Sequence, residues 1–246
     1  MKARLEHKEL NIDGRHIPLK IYREARNNVR ASMGKTAFIL RMPFLLLPNE
    51  ERKHLNWFED WVKEIVSKRE DVQAHFGGKE YRTGDIVQVG QRQYQLQIAY
   101  ENLKQHHARL KDGIIYLRLC KDDTPTHLNK SIRHLLSRVI ANDFLPEIEQ
   151  RVYELNQKYF QKNIKRVYLK YNKSNWGSCS SKGNINLSTR LLFAPSQVID
   201  YVIIHELSHL IEMNHSPRFW KIVRDIMPNY EEQEKWLKVN GAKCDF

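Results

Sequence analysis

Residues 205–209 read His-Glu-Leu-Ser-His. Two histidines spaced around a carboxylate in this way can hold a metal ion that activates a bound water molecule. In a helix, His205 and His209 project from the same face, so both imidazoles can bind one ion. Glu206 then lies beside the metal, where its carboxylate can accept a proton from bound water. The pattern is typical of zinc hydrolases and predicts hydrolysis by an activated water molecule.

Apolar residues surround this motif. They are Tyr201, Val202, Ile203, Ile204, Leu207, Leu210 and Ile211. A helix that is apolar nearly all round is normally buried, and two imidazoles and a carboxylate are costly to bury without partners. A Zn²⁺ ion would satisfy all three groups, although three histidines also suit iron, cobalt or nickel. The alternative is that His205 and His209 are hydrogen-bonded core residues and that Glu206 lies at the surface.

A third metal ligand is predicted at His215. In a continuous helix this residue would lie about 15 Å beyond His205, too far to share the ion, so the helix must end between them. Asn214 can adopt the left-handed conformation that ends helices. Ser216 is a good N-cap and Pro217 a good first residue for a new helix. His215 therefore falls at a joint between two helices and could fold back onto the metal.

Glu212 is the rival third ligand, because it follows His209 by three residues and lies on a similar helical face. The position of His215 matches the metzincin pattern H-E-x-x-H-x-x-G-x-x-H, but Glu212 occupies the glycine position, which argues against a metzincin turn. We favour His215, since histidine is the commoner zinc ligand and lies at the predicted turn.

Several segments around the motif resemble the YgjP-like metallopeptidase family, which is similar to SprT-like and WLM proteases. They are Trp176-Gly177-Ser178-Cys179-Ser180, Asn184-Ile185-Asn186-Leu187, Asp200-Tyr201-Val202 and Asn214-His215-Ser216-Pro217-Arg218-Phe219-Trp220, within about residues 165–240. The resemblance implies a minimal zincin fold and a peptide or protein substrate. It also implies one Zn²⁺ held by His205, His209 and His215, with Glu206 as the catalytic acid and base.

Other residues could complete such a site. A second electrophile often helps to stabilise the oxyanion of the reaction, and Tyr230, Arg218 and Asn186 are candidates; Tyr230 is favoured for its place after Pro228-Asn229. The alternatives are a packing tyrosine and a surface arginine. Trp176, Phe219 and Trp220 are expected to wall the site or fill the core. The strand at 184–188 is predicted to be a sheet edge beside the cleft, where an extended peptide could add as another strand.

Composition predicts a cytoplasmic protein. The three cysteines, Cys120, Cys179 and Cys244, form no C-x-x-C pair, which argues against a disulfide framework or a cysteine-rich zinc site. No apolar run reaches the ~18 residues that span a bilayer. The amino-terminal residues lack the apolar core of a signal peptide. The sequence makes no prediction of oligomeric state.

The formal net charge is +12, and two basic clusters contribute to it. The first cluster is Arg15, Lys20, Arg23, Arg26, Arg30, Lys35 and Arg41; the second is Lys158, Lys162, Lys165, Arg166, Lys170 and Lys173. Such charge can attract nucleic acid, although no base-reading motif accompanies it and a merely solvated basic surface is the alternative.

Two functions other than a general peptidase stay open. One is a DNA-associated protease; the other is a non-catalytic, zinc-stabilised binding module with a fourth protein ligand such as Glu212.

The predicted fold class is α+β. A β-rich region with one helix, residues 1–125, precedes a zincin-like metallopeptidase domain, residues 126–246. The first region has strands near 17–21 and 37–40 with a turn at 33–35, a helix from Pro48, and a β meander of 86–89, 94–98 and 114–119. The second has a helix from 126 towards 161 that Pro146 should kink or divide. A strand at 166–170, a turn at 176–180, a strand at 184–188, the metal-binding helix from about 195, and helices at 217–227 and 230–240 follow.

Overall fold

The computed structural model describes residues 4–12, 15–34, 36–69, 72 and 81–246. The turn predicted at 33–35 includes Lys35, which lies outside these residues. Helices and mixed sheets make the fold α+β, as predicted. Two compact units are present: Met1–Glu80 with Thr124–Asn129, and Tyr81–Asp123 with Lys130–Phe246. These units divide the chain at other positions than residue 125, and a boundary there between separately folding domains stays a prediction.

The first unit contains a four-stranded sheet and a helix. The strands are β1 (Arg4–Ile12), β2 (Arg15–Glu24), β3 (Arg30–Met33) and β4 (Phe38–Pro43), in the order β1-β2-β4-β3, and helix α1 spans Pro48–Lys68. Alternate residues of β2, Ile17, Leu19 and Ile21, are buried because side chains of a strand point to opposite faces in turn. They pack in one core with Phe58 and Val62 of α1.

The second unit begins with another four-stranded sheet. Its strands are β5 (Ile86–Val89), β6 (Arg92–Glu101), β7 (His107–Lys111) and β8 (Ile114–Cys120), in the order β5-β6-β8-β7. The predicted meander is wrong here, because β8 pairs with β6 in parallel and β7 is an additional strand. Asp112 and Gly113 both have positive φ, which forms the tight two-residue turn that joins β7 to β8.

A three-stranded sheet lies next to the metal-binding motif. Strands β9 (Arg166–Lys170), β10 (Gly177–Cys179) and β11 (Asn184–Ser188) have the order β10-β11-β9. Two predictions are therefore wrong. Residues 177–179 form a strand rather than a turn, because they pair antiparallel with β11, and β11 is the central strand rather than an edge because β9 takes its other side in parallel.

The other α-helices are α2 (Pro125–Leu155, followed by a π-helical turn at Asn156–Phe160), α3 (Ser196–Ser208), α4 (Pro217–Ile226) and α5 (Tyr230–Asn240). The residues of α2 up to Asn129 belong to the first unit, and the rest of these helices to the second. Pro146 does not divide α2, because buried residues on both sides of it, such as Ile140 and Val152, offset the one lost hydrogen bond. The three cysteines are free. No helix among the described residues is long and apolar enough to cross a membrane, and a cytoplasmic location stays a prediction.

Candidate metal centre

The motif lies at the end of α3, which is buried nearly all round. Its buried residues include Val198, Val202, Ile203 and Leu207, and this burial follows from the apolar sequence around the motif. His205 lies within the helix. His209 is the first residue after it and keeps right-handed helical angles. The two imidazoles therefore stay on one face, with ring centroids 5.2 Å apart.

The chain leaves α3 through a short turn. The amides of Leu210 and Ile211 donate to the carbonyls of Leu207 and Ser208, which satisfies orphaned groups at the helix end. The left-handed conformation predicted for Asn214 is wrong, since Asp112 and Gln161 are the non-glycine residues with positive φ among those that the structure describes. The turn at 210–211 already ends the helix, so a left-handed residue at position 214 is not needed to end it.

The start of α4 is as predicted. The Ser216 hydroxyl accepts a hydrogen bond from the amide of Phe219 at 3.3 Å, and Pro217 is the first helical residue. His215 is thereby held just outside α4, at the joint between two helices.

Three histidines converge at this joint. One ring nitrogen from each of His205, His209 and His215 lies within 4.8 Å of the other two, and the Nε2 atoms of His205 and His215 are 3.0 Å apart. The Glu212 carboxylate is not in this group. The backbone carbonyl oxygen of Glu212 instead lies 3.2 Å from His209 Nδ1 and can accept a hydrogen bond from it. The proton on Nδ1 leaves Nε2 of His209 free to bind a metal.

The donor set fits a small divalent ion. Two nitrogens that bind the same tetrahedral zinc at about 2.0–2.1 Å are ~3.3 Å apart, close to the separation of the two Nε2 atoms. His205 Nδ1 is buried without a hydrogen-bond partner, and its Nε2 meets a ring nitrogen of His215. Burial, with smaller contributions from His209 and His215, lowers the pKa of His205 to about 4. Neutral imidazoles are the form that binds metal.

Glu206 is a buried carboxyl group beside this cluster. The residue is 5% exposed, and burial raises its pKa to about 8. Strand β10 approaches it at Gly177, where a Cβ atom would lie 2.6 Å from Glu206 Oε1. Only a glycine leaves room for the carboxyl group in this position. The sequence pointed to Gly177 only as part of a family resemblance, and no spacing rule links residues so far apart.

These features agree with a comparison against protein families. The YgjP-like metallopeptidase domain family matches residues 27–240. The chain belongs to this family. Membership implies a metal ion.

Three individual proteins are similar over part of the chain. A UTP pyrophosphatase of Escherichia coli (strain K12) is 26% identical over 98 residues, which are 39% of this chain and 58% of that protein. The metallopeptidase zymogen of Pyrococcus abyssi abylysin has 25% identity and a TM-score of 0.35, over 37% of this chain and 92% of that one. For the zymogen of Methanocaldococcus jannaschii jannalysin the identity and both coverages are the same and the TM-score is 0.33.

The oxyanion candidates of this YgjP-like metallopeptidase have different surroundings. Tyr230 is 7% exposed, and its hydroxyl donates to Glu231 Oε1 at 3.4 Å. The amide of Asn186 donates to Ser178 Oγ at 3.3 Å, and Arg218 is exposed. A catalytic role for Tyr230 stays a prediction. Burial and Glu206 raise the pKa of the Cys179 thiol to about 11, so it is protonated at neutral pH.

Aromatic rings surround the histidines of this family member. Phe219 is fully buried, and its ring centroid lies 4.9, 4.6 and 4.8 Å from those of His205, His209 and His215. The buried ring of Phe219 therefore packs against all three imidazoles. Trp220 also contacts His205 and His215. These contacts agree with the expectation that both rings wall the site or fill the core.

Proposed function

We propose that this chain is a zinc-dependent metallopeptidase in which His205, His209 and His215 hold the ion and Glu206 moves the proton. The observation that carries the proposal is the convergence of three imidazole nitrogens within 4.8 Å of one another, with Glu206 next to His205 in the chain. Three protein ligands leave a tetrahedral ion one position for a reacting molecule, which favours catalysis over a purely structural zinc. A non-catalytic module would need a fourth protein ligand.

The residues can share the chemistry as follows. A bound zinc ion would supply Lewis acidity, polarising a carbonyl and lowering the pKa of water. Glu206 accepts a proton from the attacking water and donates it to the leaving amine. Burial raises the pKa of this carboxyl group above its ordinary value, which favours release of the proton to the leaving amine. A bound cation beside it would favour the carboxylate that the first step needs. Phe219 excludes water from the far side of the imidazoles.

The peptide would bind along β10. This strand is an edge of its sheet, with β11 on its other side, and Gly177 within it lies against Glu206. An extended peptide that pairs with β10 therefore runs past the catalytic carboxyl group. This moves the predicted site of strand addition from β11 to β10.

The test compares three variants with the wild type for metal content, by elemental analysis, and for cleavage of a quenched fluorogenic peptide library. Glu206→Gln should keep about one zinc per chain and lose 10²–10⁴-fold in rate, the usual contribution of a general acid–base. His215→Ala should be purified with much less than one zinc per chain. Glu212→Gln, a matched carboxylate at the same joint, should keep both properties. Activity in Glu206→Gln would refute the catalytic assignment, and full metal in His215→Ala would refute the ligand set.

A phosphate-bearing ligand is the second candidate, and unpaired positive charge favours it. Residues 155–199 contain eight basic residues and no acidic one, a net charge of +8. In the first basic cluster, Arg23 pairs with Glu6 and Glu51, and Arg26 and Arg41 both pair with Glu24. Within the part of the chain that the structure describes, no carboxylate makes an ion pair with any of the eight.

Two phosphate-bearing ligands suit this charge. One is a nucleoside triphosphate, the substrate class named for the Escherichia coli relative; the other is a nucleic acid that would bring protein substrates to a DNA-associated protease. UTP hydrolysis by the wild type that disappears in Glu206→Gln would support the first. Salt-dependent binding of an oligonucleotide that stimulates peptide cleavage would support the second. Peptide cleavage without UTP hydrolysis and without stimulation by an oligonucleotide would support a general peptidase.

A further inference from the structure

The three histidines differ in how the chain holds them. His205 and His209 belong to α3 or its last turn, where the helical backbone fixes their direction. His215 lies on an exposed segment before α4 and has no helix of its own. A surface imidazole that must meet a metal usually needs a neighbour that fixes its ring orientation.

Trp220 provides such a neighbour. Its ring is stacked on that of His215, with centroids 5.8 Å apart and an interplanar angle of 30°. Phe219 meets the same imidazole edge-on at 4.8 Å. Both are arrangements that aromatic rings favour. The ring of His215 is thus held by contacts on two sides while its Nε2 faces Nε2 of His205 at 3.0 Å.

The stack continues beyond Trp220. Tyr230 of α5 is stacked on Trp220, with centroids 5.4 Å apart and an angle of 23°. Tyr201 of α3 is stacked on Tyr230 at 6.2 Å and 22°. Tyr201 lies one helical turn before His205 and meets its ring at 6.0 Å. Both tyrosines are buried. The rings therefore run from the third histidine back to the helix that carries the other two.

We propose that Trp220 is a positioning residue that orients His215 for metal binding, with Tyr230 and Tyr201 as its support. The proposal rests on the proposed function, since it requires His215 to be a ligand. Removing the ring of Trp220 frees His215 to adopt other rotamers, so binding must then order it. Loss of an outer-shell partner typically lowers metal affinity about 10–100-fold, and the same range is expected here.

The test uses Trp220→Leu, the conservative Trp220→Phe, and Trp236→Leu as a matched control. Trp236 lies on α5 in the same unit, and among the described residues its ring contacts none of the three histidines. Zinc affinity is measured by competition with a chelating dye. The Co²⁺-substituted proteins are compared by their visible absorption, which reports coordination number and geometry. Trp220→Leu should lose affinity about 10–100-fold and change the Co²⁺ spectrum, Trp220→Phe should restore most of both, and Trp236→Leu should match the wild type.

A double-mutant cycle separates this proposal from the function on which it rests. If His215→Ala binds zinc as tightly as the wild type, the proposed ligand set fails. If His215→Ala loses affinity but Trp220→Leu keeps wild-type affinity and spectrum, the positioning role is overturned. The role also fails if Trp220→Leu weakens binding equally with and without His215, because the tryptophan must act through that histidine.

A second pair of variants keeps the proposal testable if Trp220→Leu does not fold. Tyr230→Leu removes the support of Trp220, whereas Tyr230→Phe keeps the stacked ring and removes only the hydroxyl group. Zinc affinity should fall in Tyr230→Leu and stay within about twofold of the wild type in Tyr230→Phe, since stacking depends on the ring. Equal zinc affinity in Tyr230→Leu and Tyr230→Phe would show that the stacked ring of Tyr230 does not support Trp220.

Discussion

Gly177→Ala should disable the proposed catalytic carboxyl group without disturbing the metal. A Cβ at this position would lie 2.6, 2.7 and 2.8 Å from Oε1, Cγ and Cδ of Glu206. Ordinary contacts between such atoms are about 3.5 Å, so the carboxyl group or the strand must move by roughly 0.8 Å. Gly177 is not among the glycines with positive φ, so its backbone accepts alanine and the effect is one of contact alone.

The size of the effect follows from this displacement. A misplacement of about 1 Å in a catalytic group can cost 10²-fold in rate, or about 2.7 kcal/mol of transition-state stabilisation. Forcing a methyl group into a packed site also costs about 1–3 kcal/mol of folding stability. We therefore expect kcat/KM for a fluorogenic peptide to fall about 100-fold, with zinc content unchanged and the melting temperature lowered.

Ser178→Ala is the matched control. Ser178 is the next residue of β10 and points away from Glu206 towards Asn186, to which it is linked by a hydrogen bond of 3.3 Å. Its replacement removes an oxygen, adds nothing near the carboxyl group and keeps the β10 backbone with which the peptide would pair, so activity should stay within about threefold of the wild type. A Gly177→Ala protein that is folded, holds metal and retains wild-type kcat/KM would refute the reasoning. Loss of metal in that variant would show that Gly177 supports the histidines rather than Glu206.

Three further predictions concern stability. Ser216→Ala removes the N-cap of α4 and should lower the free energy of unfolding by about 1 kcal/mol in urea titrations. An unchanged urea midpoint would show that the Ser216 hydroxyl does not stabilise the helix. Asp200→Asn breaks the two-pronged pair with Arg151, but Arg151 is 43% exposed, so the same titration should show a loss below about 1 kcal/mol. In metal-free protein, His205 has a folded-state pKa of about 4 against 6.5 when unfolded. The unfolded state therefore takes up the proton first, and the melting temperature should fall as pH drops from 6.5 towards 4. His205→Asn should show a smaller fall, and an equal fall would assign the effect to other groups.

The sequence by itself determined the local parts of the site. The spacing of His205, Glu206 and His209 depends only on the 3.6-residue period of a helix. The joint at His215 depends on Ser216 and Pro217, whose capping preferences act within one turn. Apolar residues around the motif predicted its burial, and these inferences needed no knowledge of distant neighbours. The same is true of β9, β11, α4 and α5, whose signals lie within each segment.

Only the tertiary structure decided which distant residues complete the site. No local rule places Gly177 against Glu206, because their contact depends on how β10 packs on α3. Strand order is equally non-local: pairing with both β9 and β10 makes β11 central, although its own sequence is that of any half-buried strand. The stack of Tyr201, Tyr230 and Trp220 unites three helices. Periodicity reports which face of each helix is buried, but not which partner meets it, and that choice depends on packing over the whole unit.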